Sequence, residues 1–263
     1  MLPGVFQAKR KDGTIYYRSS FTYKNKHISL GSYSTEWEAH TVYAEANNIM
    51  NSSCAIEDYQ NTFSIKFEKY VSLINFRDNG IYIKTPCYLK KTYFYYYFAP
   101  GDYLIFDQND LFYYSSHKIM RRDGHLFVAD YGMQVNILSR YGIKNHGVAG
   151  KDYLFKNQDN TDFRYANIEV INPYYGVTKT HRNNTVCYKA KIHVQSEYVI
   201  GYFPHATTAA IAYNKAVDTL LRNGFSKNFS TNYIDNFSPK MYAEVYSDII
   251  IPENIKNLKP ANQ

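Results

Sequence analysis

Two stretches of this 263-residue chain carry one pattern in the same order and spacing, which fixes much of the fold. In the second copy Gly176-Val177 leads to the turn His181-Arg182-Asn183-Asn184. Tyr188 to Val194 then alternates: Tyr188, Ala190, Ile192 and Val194 point one way, and Lys189, Lys191 and His193 the other. Val199 to Phe203 reads as a third short strand. After Pro204 a helix follows, with Ala209, Ala212, Tyr213, Ala216 and Leu220 on one face.

The first copy opens on Gly4-Val5 and turns at Lys11-Asp12-Gly13, a sequence suited to a tight hairpin. Tyr17, Ser19, Phe21 and Tyr23 alternate with Arg18, Ser20 and Thr22. Ile28 to Tyr33 corresponds to Val199 to Phe203. Thr35 and Glu38 stand in capping-box positions, ahead of Ala39, Val42, Tyr43, Ala46 and Ile49 on one helix face. Gly31 lies 12 residues before Tyr43, and Gly201 lies 12 before Tyr213. Each copy is thus expected to be a three-stranded antiparallel sheet with one helix across its back and a free, cationic face.

Both copies resemble the Apetala-two, or ethylene-response-factor, DNA-binding domain. The resemblance rests on Gly-Val, a strand bearing Tyr, Arg and Lys, Gly-x-Tyr/Phe, and the Ala-rich helix ending Ala209-Ala210-Ile211-Ala212-Tyr213-Asn214-Lys215-Ala216. Asn228-Phe229 adds to it. The first copy departs at Trp37 and His40, where small residues are usual; Trp37 is expected to pack on the sheet. The resemblance implies that the sheet lies in the major groove of duplex DNA and reads bases.

The charge fits that implication. The net charge is +7, and residues 173–232 hold seven basic and two acidic side chains, against six and four in residues 1–50. Cys54, Cys87 and Cys187 are isolated, so neither a disulfide framework nor a structural zinc site is expected. No signal peptide is expected from the opening residues, and no apolar run is long enough to span a membrane. A cytoplasmic location is expected, with no membrane partner, cofactor or metal.

Between the copies, residues 51–62 are polar and read as a linker. From Phe63 to Val128 the chain reads as strands and loops, with runs at Ile81–Ile83, Thr92–Phe98, Tyr103–Phe106 and His125–Val128. Asp78-Asn79-Gly80, Pro100-Gly101 and Asp123-Gly124 punctuate them. Lys90-Lys91 and Arg121-Arg122 are basic pairs expected in loops.

The run Asn157 to Ile168 is similar to the tail of an HNH homing-type endonuclease, a family often joined to an Apetala-two domain just downstream. HNH catalysis needs an imidazole base and hard ligands for a divalent metal. In that resemblance the metal-binding Asp falls on Leu154, the general-base His on Phe155, the Asn of Asp-Asn-Arg on Phe163, and an upstream His-Arg on Ser139-Arg140; Asn167 is retained. Leu154 and Phe155 can neither ligate nor accept a proton, so a nuclease-like core without catalysis is expected. Asp162 and Arg164 are expected to brace the loop or touch phosphate. His146 and Asp152 lie close enough in sequence to leave a shifted site open.

The expected fold is α+β: sheet-plus-helix modules at 1–50 and 173–232, flanking a mixed β/α HNH-like domain at 63–172, with a tail at 233–263. The tail shows a helical pattern over Pro239–Tyr246, then Ile249-Ile250-Ile251, which leaves core packing or a homodimer contact open; Lys256 to Gln263 is expected to fray. The expected DNA contacts are Arg18, Ser20, Thr22, Lys189, Lys191 and His193 on strand faces, with Lys9, Arg10, Lys11, Lys179 and Arg182 in or beside the hairpin turns. The function implied is a sequence-specific, double-stranded DNA-binding protein, a transcriptional regulator of bacterial, phage or mobile-element origin. The alternatives are a metal-dependent HNH-type endonuclease with displaced catalytic residues, and an inhibitor or scaffold that binds another protein.

Overall fold

Mixed α and β structure, with several small antiparallel three-stranded sheets and six helices, fills residues 1–260, which this computed structural model describes. Contacts group the chain into two units: Met1–Val135 with Asp159–Asn167, and Asn136–Gln158 with Ile168–Gln263. The expected central domain at 63–172 is therefore shared between two units.

The first unit opens with β1 (Val5–Lys9), β2 (Ile15–Tyr23) and β3 (Lys26–Tyr33), hydrogen-bonded in that order. Lys24 and Asn25 join β2 to β3 with φ of 43° and 62°, the paired left-handed conformation of a two-residue hairpin turn. α1 (Glu36–Asn51) starts at the expected capping box: the Thr35 hydroxyl accepts from Glu38 N at 3.2 Å, and Glu38 accepts from Thr35 N at 3.1 Å. Ala39, Val42, Ala46, Ile49 and Met50 are buried as α1 packs across the sheet.

Where strands are expected, α2 (Phe67–Asn79) packs on α1. Tyr70, Val71, Leu73, Ile74 and Phe76 join Phe21, Ile28, Leu30 and Val42 in one core. Aromatic and β-branched residues favour strands in isolation, but Phe67, Tyr70, Val71 and Ile74 recur at helical spacing, and tertiary burial decides. Asp78-Asn79-Gly80 is the end of this helix, with Gly80 left-handed and its N–H on Phe76 O. Ile81–Ile83 forms no strand. The segment 51–62 is no free linker either: Ile56 is buried, Tyr70 Oη donates to Ala55 O at 3.0 Å, and Arg77 donates to the carbonyls of Ile49, Ser52 and Cys54.

β4 (Cys87–Leu89), β5 (Tyr93–Ala99) and β6 (Asp102–Asp107) form a second sheet, followed by α3 (Leu111–Tyr114). β7 (Ile119–Arg122), β8 (His125–Asp130) and β9 (Met133–Asn136) form a third. Arg121-Arg122 thus lies in a strand rather than a loop, and Arg121 grips Asp102 through both Nη atoms at 2.6 and 2.9 Å.

In the second unit β10 (Tyr153–Phe155) pairs with β11 (Ile168–Val170). β12 (Val177–Arg182), β13 (Thr185–His193) and β14 (Glu197–Phe203) form a sheet in that order, backed by α4 (Ala206–Arg222). α5 (Pro239–Asp248) and α6 (Glu253–Lys256) follow. Ile249 and Ile251 are buried in the α4 core, while Ile250 is exposed. The segment after α6 is anchored rather than frayed, since Asn223 Nδ2 donates to the carbonyls of Lys256 and Leu258; the last part of the expected frayed stretch, 261–263, lies outside the described residues.

The two sheet-and-helix assemblies agree in detail. Ser19 pairs with Gly31 but Ser20 with Ser29, leaving Leu30 as a bulge; Ala190 pairs with Gly201 but Lys191 with Val199, leaving Ile200 as one. Ser20 N donates to Gly4 O at 3.0 Å, and Lys191 N to Gly176 O at 2.8 Å. Gly4 and Gly176 have φ of 74° and 68°, and a Cβ on either would fall 2.0 or 2.2 Å from Cδ2 of Tyr43 or Tyr213.

Gly176→Ala is therefore expected to cost the second unit about 3 kcal/mol or more, combining left-handed strain with a clash against a packed ring. Gly101→Ala, at φ 72° with open space around it, carries the strain alone and is expected to cost about 1 kcal/mol. Urea melts of the two variants test this. Equal losses would show that the Tyr213 contact contributes nothing.

Candidate nucleic-acid interface

Directly paired residues of an antiparallel ladder share a face of the sheet. In the second unit Val177, Ala190 and Gly201 lie in register on the α4 side. The opposite row therefore holds Thr178, Lys189 and Tyr202, then Lys191 with Val199, and His193 with Glu197. Arg182, at the end of β12, pairs with Thr185 on that face, and its guanidinium lies 5.0 Å from the Tyr202 ring centroid. The side chains of Arg182, His193, Tyr202 and Val199 are exposed. Arg182, Lys189, Lys191 and His193 thus lie along one face of the sheet, from one end of β13 to the other.

Two features temper the charge. Lys191 Nζ lies 2.5 Å from Glu197 Oε2 across the ladder, a diagonal pair set up by the Ile200 bulge. Lys179 pairs with Tyr188, so it belongs to the helix-side row and lies within β12 rather than in the turn. Its side chain is exposed there, on the strand that leads to the turn.

In the first unit the free row is Phe6, Arg18 and Ser32, with Tyr16, Thr22, His27 and Ser29 along it. Arg18 Nε and Nη2 donate to Tyr16 Oη at 3.1 and 2.6 Å. Arg10 lies on the same ring, its Cζ 5.7 Å from the centroid, against 5.4 Å for Arg18. Thr22 Oγ1 and His27 Nδ1 are 3.5 Å apart. Ser20 is in the row but only 8% exposed, so its expected base contact is not available. Lys9 ends β1 opposite Ile15, on the helix-side row, and Lys11 lies exposed in the turn. Trp37 does not pack on the sheet: it is 70% exposed on the first turn of α1, near His40.

The positions named from the nuclease resemblance lie, from Leu154 to Asn167, in β10 and in the segment leading to β11. Leu154 and Phe155 lie in β10 opposite Glu169 and Ile168. Phe163 is buried against Phe106, with ring centroids 5.7 Å apart. Asn167 Nδ2 donates to Asp162 O at 2.8 Å. Asp162 holds Arg164 through both carboxylate oxygens at 2.8 and 2.6 Å, and it raises the guanidinium pKa. Asp152, a candidate for a shifted site, is buried, paired with Lys144 at 2.8 Å and capped by Val148 N at 2.9 Å. His146 sits at φ 63° in a turn. Among the described residues no group of three or more His, Cys, Asp or Glu is placed to hold a metal ion, and no helix is long and apolar enough to cross a membrane.

Tyr16, Tyr202 and Glu197 are the members of these faces that sequence reading did not single out. Tyr16 was within reach of it, being two residues before Arg18 on an alternating strand. Tyr202 and Glu197 depend on register across the Ile200 bulge, which local pattern does not specify.

The chain matches no protein-family model, and it matches neither a curated protein nor a solved structure.

The Lys191 ammonium, hydrogen-bonded to Glu197, holds that carboxyl below the usual glutamate range, and the charges of Lys189 and His193 add to the effect. A depressed folded value means that the contact stabilises the fold above the unfolded pKa of about 4.3 and is lost as pH falls through the folded one. A carboxyl NMR titration is expected to show a low Glu197 midpoint that returns to the ordinary range in Lys191→Met. A midpoint that stays low in that variant would assign the shift to other groups.

Proposed function

We propose that this chain is a sequence-preferring, double-stranded DNA-binding protein, with Apetala-two-like modules at residues 1–50 and 173–232 on either side of a nuclease-like segment without catalysis. A role in transcriptional regulation is the biology this reading favours. The observation that carries it is the β12-β13-β14 face opposite α4, whose row holds Arg182, Lys189, Lys191 and His193. A ribbon of this size fits the major groove, about 12 Å wide, and cations along it neutralise phosphates.

The two faces divide the work. The second supplies ammonium groups, which act as point charges and suit phosphates. The first supplies Arg18, whose planar fork suits the O6/N7 edge of guanine. Removing residues 1–50 would strip α2 of its core partners, so substitution rather than deletion separates the roles.

On this reading log K against log salt falls with a slope of roughly −0.9 per phosphate engaged. Lys189→Ala is expected to flatten the slope by about one such unit. Lys191→Ala should flatten it by less, because Glu197 already holds that charge. Glu197→Gln should tighten binding by freeing it. The pair Lys189→Ala and Lys191→Ala should cost more than Lys24→Ala and Lys26→Ala together, and Arg18→Ala should relax sequence preference. Titrations at fixed and varied salt on selected and scrambled duplexes measure all of these. A flat salt response without discrimination would reject the reading, and nicking of supercoiled plasmid with Mg²⁺ that disappears in Asp152→Asn would favour the nuclease.

A further inference from the structure

We infer that Tyr16 is a positioning residue for base recognition: its hydroxyl locks the Arg18 guanidinium with one edge turned outward for a guanine. The inference rests on the DNA-binding reading above and concerns how the first sheet discriminates sequence.

The geometry is specific. Tyr16 and Arg18 are two apart on β2 and share the face opposite α1. Arg18 Nε and Nη2 both donate to Tyr16 Oη, at 3.1 and 2.6 Å. Those two nitrogens form the side edge of the guanidinium. The other edge, formed by Nη1 and the second Nη2 hydrogen, remains for a ligand, and Arg18 makes no ion pair among the described residues. Two coplanar donors match the O6 and N7 acceptors that guanine shows in the major groove.

An exposed arginine ordinarily loses rotamer freedom when it grips a base. Here the lock is made before binding, so less is lost on contact. Arg10 lies on the same tyrosine ring, which adds a second cation and leaves the Oη contact to Arg18. The second sheet offers an internal contrast. Its corresponding strand position, paired with Tyr202, holds Lys189, whose ammonium has no planar fork to orient.

The test uses the full chain and a duplex it prefers, selected from a random pool, beside a scrambled duplex of equal length. Tyr16→Phe keeps the ring and the net charge but removes the oxygen. It is expected to lower the preference for the selected duplex by roughly tenfold, within the worth of one bidentate base contact. Affinity for the scrambled duplex and the salt slope should not change, since no charge is removed. Arg18→Lys should lower the preference at least as far, and adding Tyr16→Phe to it should lower it no further. Preference retained in Tyr16→Phe, or a further fall in the double variant, would overturn the inference while leaving DNA binding intact. Wild-type protein that does not distinguish the two duplexes would instead remove the reading beneath it.

Discussion

Each sheet-and-helix assembly turns on one contact, the ring of a helix tyrosine lying directly on a strand-leading glycine. Tyr43 meets Gly4 and Tyr213 meets Gly176 at distances that exclude a Cβ. The same glycines take positive φ, which L side chains adopt at a cost, and their carbonyls accept the N–H of Ser20 and of Lys191. One residue type thus satisfies a steric and a conformational demand together. The consequence reaches the opposite face: with the helix seated on one side, the other row of side chains has nothing from that helix to cover it.

The bulges complete this division. Without the bulge at Ile200, an unshifted ladder would pair Lys191 with Ile200, and the outer half of β14 would swap faces. The bulge lets Ile200 enter the core while Val199 and Glu197 stay outside with Lys191 and His193. Leu30 does the same for Ile28 and Ser29 in the first sheet. Packing therefore specifies the scaffold of both copies closely and leaves the outward rows free to differ. Where the first carries Arg18, Ser20 and Thr22, the second carries Lys189, Lys191 and His193.

Much of this was legible in the sequence because it is local. Strict alternation from Tyr188 to Val194, the Thr35–Glu38 box and the alanine-rich helix faces each follow from a single periodicity or cap. What was missed depends on partners far along the chain. α2 is helical because Val71 and Ile74 bury against the α1 core, which overrides the strand preference of its aromatic and β-branched residues. The supposed linker is held by Arg77, some 25 residues later, bonding three of its neighbouring carbonyls. The site residues were legible as a row on one strand, whereas the Lys191–Glu197 and Arg182–Tyr202 pairings need the register across strands.

The chemistry of the two outward rows follows from what each cation is tied to. An ammonium such as Lys189 forms contacts in any direction and favours no particular acceptor arrangement. It raises attraction to a polyanion without choosing among sequences. A guanidinium discriminates only if its plane is held, because a freely rotating fork satisfies many acceptor pairs about equally. Of the two central strands, only β2 combines an arginine with an oxygen placed to hold it, at Arg18 and Tyr16. On the proposed DNA-binding reading, the less charged sheet would choose a sequence and the more charged sheet would hold whatever is chosen.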